Sequence, residues 1–207
     1  MNNRASGLGH IPRRRTSSHV RLLVSTVMVV ATALTFATAG AASAAMASQV
    51  PPFKQCPSVG QSPSCQILIV VNPDRTVSVL GDPAVTSYDG SDDTLVGVVN
   101  NSSKPVSAIT VSGPGTGLSR LDGDGLCTFG ISGCPFGSTG YEGPGTSIVT
   151  DAALPDSAEV DFAGGLPAGA SAYFSLEGAL TSAQLKVREG TLKNQFVYEA
   201  YAKLNLG

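Results

Sequence analysis

The pattern of apolar and polar positions along the chain is organised around the stretch from Tyr88 to Ser112. An acidic turn at 89–93 leads into Thr94–Asn100, which is apolar at both alternating sets of positions, as in a strand covered on both faces. A polar turn at 101–104 leads to a second β-rich run at 105–112, with Pro105 at the first position, where a missing N–H costs least. We therefore predict a hairpin at the centre of an antiparallel sandwich.

Further strands are predicted on both sides of this hairpin. The runs 67–71 and 76–80 flank an Asn-Pro-Asp-Arg tip, which indicates a second hairpin. Later in the chain 146–150 is a predicted short strand, and two alternating runs follow. Their inward residues are Ala158, Val160, Phe162, Ala172, Phe174 and Leu176, and their solvent-facing residues are Glu159, Asp161, Tyr173, Ser175 and Glu177.

The end of the chain is less decisive, because 179–187 fits a short helix or a strand and 191–206 fits a closing strand or a surface helix. Seven or eight short strands separated by turns predict an all-β fold, an antiparallel β-sandwich of the immunoglobulin-like or lamin-tail-like kind.

The segment 113–145 interrupts this pattern. It contains eleven glycines in 33 residues and almost no apolar periodicity, so we predict a long surface excursion that builds no core element. Long loops on a sandwich often carry binding function. A loop that is merely stiffened for survival outside the cell is an equally good interpretation.

The first residues indicate export. A basic leader precedes the apolar stretch 22–41, and Ala42-Ser43-Ala44 or Ala45-Met46-Ala47 provides a small-x-small cleavage site. This pattern is typical of a secretory signal peptide rather than a membrane anchor. We predict a signal peptide at 1–44, a Pro- and Cys-containing segment at 45–65, the sandwich at 66–187, and a tail or closing element at 188–207.

Cleavage after Ala44 changes the composition. It leaves 163 of 207 residues, enough for one domain with a proper core, and eight basic against fifteen acidic residues, a net charge of −7. Such a charge argues against nucleic acid or anionic membranes as partners. Both histidines, His10 and His19, leave with the leader, which excludes Ser-His and Cys-His catalysis and His-ligated zinc in the exported chain. We therefore expect no enzyme.

The four cysteines of an exported chain predict disulfides. Three pairings are possible, and we favour the local one, Cys56–Cys65 with Cys127–Cys134. Each short loop closed in this way would contribute about 2.5 kcal/mol on the loop-entropy model.

Two acidic loops are candidate calcium sites, because calcium prefers six to eight oxygen ligands on bendable backbone. Their residues are Asp89, Asp92 and Asp93 in the first loop and Asp122 and Asp124 in the second. If the loops met in space, Glu142 or Asp151 would complete the shell. Asp and Gly are also ordinary turn residues, which explains both loops without a metal.

Aromatic and acidic residues beside these loops suggest two further sites. Tyr88, Tyr141 and Glu142 are candidate ligand-binding residues for a sugar, although packing is the more common role of such tyrosines. Asp93, Asp124 and Glu142 are possible members of a glycosidase acid–base pair, but the chain has no Trp for a sugar platform.

Several segments together resemble an uncharacterised group of bacterial secreted proteins. The segments are 88–102 (YDGSDDTLVGVVNNS), 121–125 (LDGDG), 133–137 (GCPFG), 139–146 (TGYEGPGT) and 166–177 (LPAGASAYFSLE). The resemblance implies export and a β-rich fold, and it carries no established activity.

From these observations we predict a secreted, non-catalytic β-sandwich module that interacts with an extracellular protein or glycan. A calcium-dependent carbohydrate-binding module is the alternative, followed by a carboxylate-based glycosidase.

Overall fold

A computed structural model describes residues 49–192, which form eight strands and one short 3-10 helix. The predicted leader and most of the predicted closing element lie outside these residues. The strands are β1 (Ile67–Val71), β2 (Val77–Gly81), β3 (Thr94–Asn100), β4 (Val106–Ser112), β5 (Thr146–Thr150), β6 (Ser157–Leu166), β7 (Ser171–Leu176) and β8 (Lys186–Glu189), and the 3-10 helix is Leu126–Phe129. Within residues 49–192, no helix has the length and apolarity needed to cross a membrane.

The strands make two four-stranded sheets, so the all-β sandwich is confirmed. The first sheet has the order β2-β1-β3-β7 and the second the order β5-β6-β4-β8. The β1–β2 hairpin forms as predicted, closed at its tip by a hydrogen bond from the Arg75 N–H to the Asn72 carbonyl. The predicted border at 187 falls inside β8, which continues to Glu189.

The core between the sheets consists of the inward-facing residues of both. The buried residues there include Ile67, Val96 and Phe174 from the first sheet and Ile109 and Val160 from the second. The predicted alternation along β6 is confirmed, because Ala158, Val160 and Phe162 are buried while Glu159 and Asp161 are partly exposed. Burial of apolar side chains at about 25 cal/mol per Å² is the main source of stability here.

The first sheet is also covered on its outer face, by a second apolar cluster. Phe53, Val59 and the Cys56–Cys65 disulfide come from the N-terminal segment, and Leu126 comes from the glycine-rich loop. All seven residues of β3 are consequently buried, which confirms the prediction of a strand covered on both faces. Gly97 allows this covering layer to approach, since a Cβ there would lie 2.5 Å from the Cys65 sulfur.

The predicted central hairpin is wrong. β3 pairs with β1 and β7 in the first sheet, whereas β4 pairs with β6 and β8 in the second. The polar residues 101–104 cross from one sheet to the other instead of turning back. The sandwich is also not wholly antiparallel, because β1 and β3 run parallel.

The crossing is held by a buried amide at the end of β3. The side chain of Asn100 is fully buried and donates to the carbonyls of Lys104 and Leu166, both at 2.8 Å. Its amide oxygen accepts from the Ser102 N–H at 3.0 Å and the Ser102 hydroxyl at 2.7 Å. Every polar atom of this amide group therefore has a partner.

The glycine-rich segment differs from its prediction as well. Leu118, Leu126 and Tyr141 are fully buried and belong to the two apolar clusters, so the segment does contribute to the core. The favoured cysteine pairing is confirmed, with disulfides Cys56–Cys65 and Cys127–Cys134. Within 179–187, residues Lys186 and Val187 belong to β8 and the preceding residues form turns rather than a helix.

Candidate metal centre

Strand register brings two acidic residues together at one end of the first sheet. β3 and β7 are antiparallel with Thr94 opposite Leu176. Asp93 immediately precedes β3 and Glu177 immediately follows β7, so the two residues lie side by side. Adjacent strands are about 4.8 Å apart, and carboxylate side chains easily span that distance.

The glycine-rich loop brings a third carboxylate to the same place. The return arm of the loop docks on β7, where the Ser175 N–H donates to the Tyr141 carbonyl at 2.8 Å. Asp124 lies on the outgoing arm, next to Gly125, whose missing side chain leaves room for the Tyr141 ring. A Cβ at Gly125 would lie 2.6 Å from that ring. The two arms are therefore packed together directly beside the end of β7.

One carboxylate oxygen each from Asp93, Asp124 and Glu177 lies within 4.8 Å of the others. Asp93 is buried, Glu177 is partly buried and Asp124 is exposed. We call these three residues the acidic trio. The trio is closed on the side of the sheet and open towards solvent on the side of the loop.

Two buried tyrosines hold the carboxylates in position. The Tyr88 hydroxyl donates to Asp93 Oδ2 at 2.6 Å. The Tyr141 hydroxyl lies 2.8 Å from Asp124 Oδ1, 2.7 Å from Glu177 Oε2 and 3.1 Å from Asp122 Oδ1. A phenol has one proton to donate, so Tyr141 cannot satisfy three carboxylates at once. The remaining oxygens are left to a proton, a cation or, where they are exposed as in Asp122 and Asp124, water.

The electrostatics reflect this shortage of positive charge. Burial, followed by the repulsion of Glu177 and Asp124, raises the pKa of Asp93 to about 7 against the opposing hydrogen bond from Tyr88. Burial and neighbouring carboxylates also raise the pKa of Glu177. A hydrogen bond shared between Asp122 and Asp124 raises the pKa of Asp124 and lowers that of Asp122. Burial and hydrogen bonds to carboxylates raise the pKa of both tyrosines, so their hydroxyls stay protonated.

One oxygen of the trio is buried and has no partner. Asp93 is 1% exposed, and its Oδ1 makes no hydrogen bond. An unpaired buried acceptor costs about 1–3 kcal/mol, more when it is charged. Within residues 49–192, Arg75 and Glu189 form an ion pair at the far end of the molecule from Asp93. None of the basic side chains in this described range forms an ion pair with the trio.

The structure separates the predicted calcium ligands into two groups. The two loops do meet, and Asp93 and Asp124 belong to the trio. Asp89 instead caps its own turn, because its Oδ1 accepts from the backbone N–H groups of Ser91, Asp92 and Asp93. Asp92 and Asp122 lie outside the trio and line a cleft beside it.

The predicted sugar-binding and glycosidase residues need correction. Tyr88 and Tyr141 are fully buried, so neither ring offers a surface on which a sugar could stack. Glu142 is 1% exposed, and its carboxylate accepts from the N–H groups of Thr139 and Gly140. Asp151 caps Ala153 instead of completing the shell. Tyr88, Tyr141 and Glu142 are therefore not available for the roles predicted, and Asp151 is not among the trio.

Sequence reasoning missed Glu177, because the alternation along β7 assigns it to a wet face with Tyr173 and Ser175. Ser175 is in fact fully buried, since the loop covers that side of β7. Glu177 directly follows β7 and meets the acidic turn only because β7 pairs with β3. It can therefore be recognised as a candidate ligand only when that strand pairing is known.

Comparison of the chain with protein-family models, with curated proteins and with solved structures found no match. The protein is described by its own fold and site: an all-β sandwich with a candidate metal centre of carboxylate oxygens at one end.

Proposed function

We propose that this protein is an exported, non-catalytic β-sandwich binding module whose loop end is organised by one calcium ion held by Asp93, Asp124 and Glu177. The observation that carries the proposal is the buried, unpartnered Asp93 Oδ1 within a group of three converging carboxylates. The leader and the two disulfides support an extracellular place of action.

The donor set favours calcium over other metals. Every donor is a carboxylate oxygen, and the four cysteines are all in disulfides, which disfavours zinc and copper. Calcium binds oxygen at about 2.3–2.6 Å, so two ligands on opposite sides of the ion lie up to about 5 Å apart. The three oxygens of the trio lie within 4.8 Å of one another, which is compatible with that span. Magnesium keeps several of its waters and is usually held by only one or two carboxylates.

The arrangement also supports an ion-binding role. Each carboxylate of the trio has one oxygen against a tyrosine hydroxyl, which fixes its orientation. Fixed carboxylates with raised pKa values suit an ion that replaces the missing positive charge. The ion would join the end of the sheet to the glycine-rich loop, whose far part is closed by Cys127–Cys134.

The test is a calcium titration followed by thermal unfolding in far-ultraviolet circular dichroism. We expect millimolar calcium to raise the Tm by about 5–10 °C relative to a chelator, which corresponds to binding at about a hundred times the Kd. Magnesium should have a much smaller effect. Isothermal titration calorimetry should give one site per chain.

Variants assign the effect to the trio. Asp93→Asn, Asp124→Asn and Glu177→Gln should each remove most of the calcium shift. Asp93→Asn should also stabilise the chelated protein, because it removes a buried charge. The matched control is Asp74→Asn, at the β1–β2 tip and the opposite end of the sheet, which should keep the full shift. A wild-type Tm that is unchanged by calcium would refute the proposal.

A further inference from the structure

A polar cleft of about 400 Å³ lies beside the acidic trio. Glu177 belongs to both, and Asp92 and Asp122 on the cleft wall are within two residues of Asp93 and Asp124 along the chain. Arg120 lies on the same wall. The volume falls within the range of small-molecule sites, about 300–1,000 Å³.

An ion in the trio would have coordination positions left over. The trio offers one oxygen from each of three carboxylates to an ion, and each carboxylate also has an oxygen against a tyrosine hydroxyl. Calcium binds six to eight oxygens, so about half of its shell must come from elsewhere. Glu177 lines the cleft and Asp124 is exposed, whereas Asp93 is buried, so the remaining positions would be reached from the cleft.

The charge of the cleft selects the kind of ligand. Three carboxylates and one Ca²⁺ leave a net charge of about −1, and Asp92 and Asp122 add to it. An anionic ligand is therefore repelled, and a cationic group has no oxygen lone pair for the ion. A hydroxyl group coordinates the ion through its oxygen and donates its proton to a neighbouring carboxylate.

The cleft also has one donor for such a ligand. Arg120 on the wall offers guanidinium N–H groups that can donate to a ligand. Asp156 is a possible acceptor, but its two oxygens already accept from the N–H groups of Gly115 and Gly117. With the two tyrosine rings buried, no aromatic stacking from Tyr88 or Tyr141 adds to the affinity. Recognition depends on the ion and on hydrogen bonds.

We propose that the open coordination positions of the calcium ion bind adjacent hydroxyl groups of a neutral polyol, such as a sugar residue of a glycan, within this cleft. The inference rests on the proposed calcium site and names the class of ligand for it.

The experiment has two independent readouts on the full exported chain. Ion binding is measured by the calcium shift of the Tm, without any sugar. Ligand binding is measured with the labelled protein on a glycan array that carries neutral, acidic and amino sugars, in calcium and in a chelator. We expect retention on neutral glycans in calcium and at least a tenfold loss in the chelator.

Two cleft variants separate the ligand from the ion. Arg120→Ala and Asp92→Asn should lower glycan retention about tenfold and leave the calcium shift unchanged, because neither residue belongs to the trio. The control Lys104→Ala changes an exposed residue at the opposite end of β3 and should affect neither readout.

The outcomes distinguish the two proposals. A calcium shift without glycan retention overturns the polyol inference alone, as does retention that persists in the chelator or is confined to acidic or amino sugars. Absence of the calcium shift overturns both proposals. Normal retention by Arg120→Ala and Asp92→Asn together would place the ligand elsewhere and would also overturn the inference.

Discussion

Strand β3 has a buried polar side chain at each end, and the two ends differ in how those side chains are satisfied. Asn100, the last residue of the strand, uses all of its amide atoms in hydrogen bonds of 2.7–3.0 Å to the crossing segment and to Leu166. Asp93, immediately before the strand, has one oxygen against Tyr88 and one with no partner. Both residues are at most 1% exposed.

This difference separates a structural polar group from a binding group. A buried amide with every donor and acceptor paired stabilises one arrangement of the chain. A buried carboxylate that lacks a partner costs free energy unless something else supplies the positive charge. The Asn100 end of β3, which we call the closed end, explains how the sheets are connected. The Asp93 end, which we call the open end, is where we propose that an ion binds.

The largest expected effect is at the closed end. Asn100→Ala removes four hydrogen bonds and takes a partner from the Leu166 carbonyl and the Ser102 N–H, whereas the Lys104 carbonyl keeps the Ser102 hydroxyl. We expect the free energy of unfolding to fall by about 3 kcal/mol. Urea unfolding followed by circular dichroism measures this. Asn101→Ala, at the neighbouring and more exposed position, is the control and should cost less than about 1 kcal/mol. An equal loss from both variants would show that the amide network has no special role.

The next effect distinguishes the two disulfides. Replacing Cys127 and Cys134 by Ser should lower the free energy of unfolding by about 2.5 kcal/mol and also reduce the calcium shift, because Asp124 lies next to the loop that they close. Replacing Cys56 and Cys65 should cost at least as much, since that disulfide packs on Gly97 in the apolar cluster. The second pair should leave the calcium shift intact. Equal effects of both pairs on the calcium shift would contradict the assignment of Asp124.

The smallest expected effect is the pH dependence of stability that arises from Asp93 and its neighbouring carboxylates. The pKa of Asp93 is raised to about 7 in the folded protein from 3.8, so between those values the folded state binds more protons than the unfolded state. Stability without calcium should therefore fall as the pH rises from about 4 to about 7. The raised pKa values of Glu177 and Asp124 act in the same direction.

Thermal unfolding in a chelator tests this directly. The Tm at about pH 5 should exceed that at about pH 8 by a few degrees, and Asp93→Asn should reduce the difference. Calcium should reverse the trend, because protons compete with the ion for the same oxygens. A chelated wild type whose Tm rises from about pH 5 to about pH 8 would contradict the raised pKa of Asp93.

The sequence was informative where the signal is local. The Asn-Pro-Asp-Arg tip predicts the β1–β2 hairpin because turn residues act over four positions. The alternation along β6 predicts its buried face for the same reason. The short spacing of each cysteine pair favours the pairing that the structure has.

Long-range pairing could not be predicted in the same way. Residues 101–104 have the composition of a hairpin turn, yet Asn100 turns the chain into the other sheet through contacts with Leu166, which is 66 residues away. A strand that is apolar on both faces, such as β3, lies in the middle of a sheet, and its neighbours can come from any part of the chain. The acidic trio depends on the same unknowns, because Glu177 meets Asp93 only through the β3–β7 register.

The docking of the glycine-rich loop on β7 has one more consequence, for the association of chains. β7 is the outermost strand of its sheet, and unpaired outer strands invite strand addition by a second molecule. The loop occupies part of that border through the bond from Ser175 to Tyr141 and the bridge between Glu142 and Phe174. The segment that brings Asp124 to the acidic trio thus also protects the molecule against edge-to-edge aggregation.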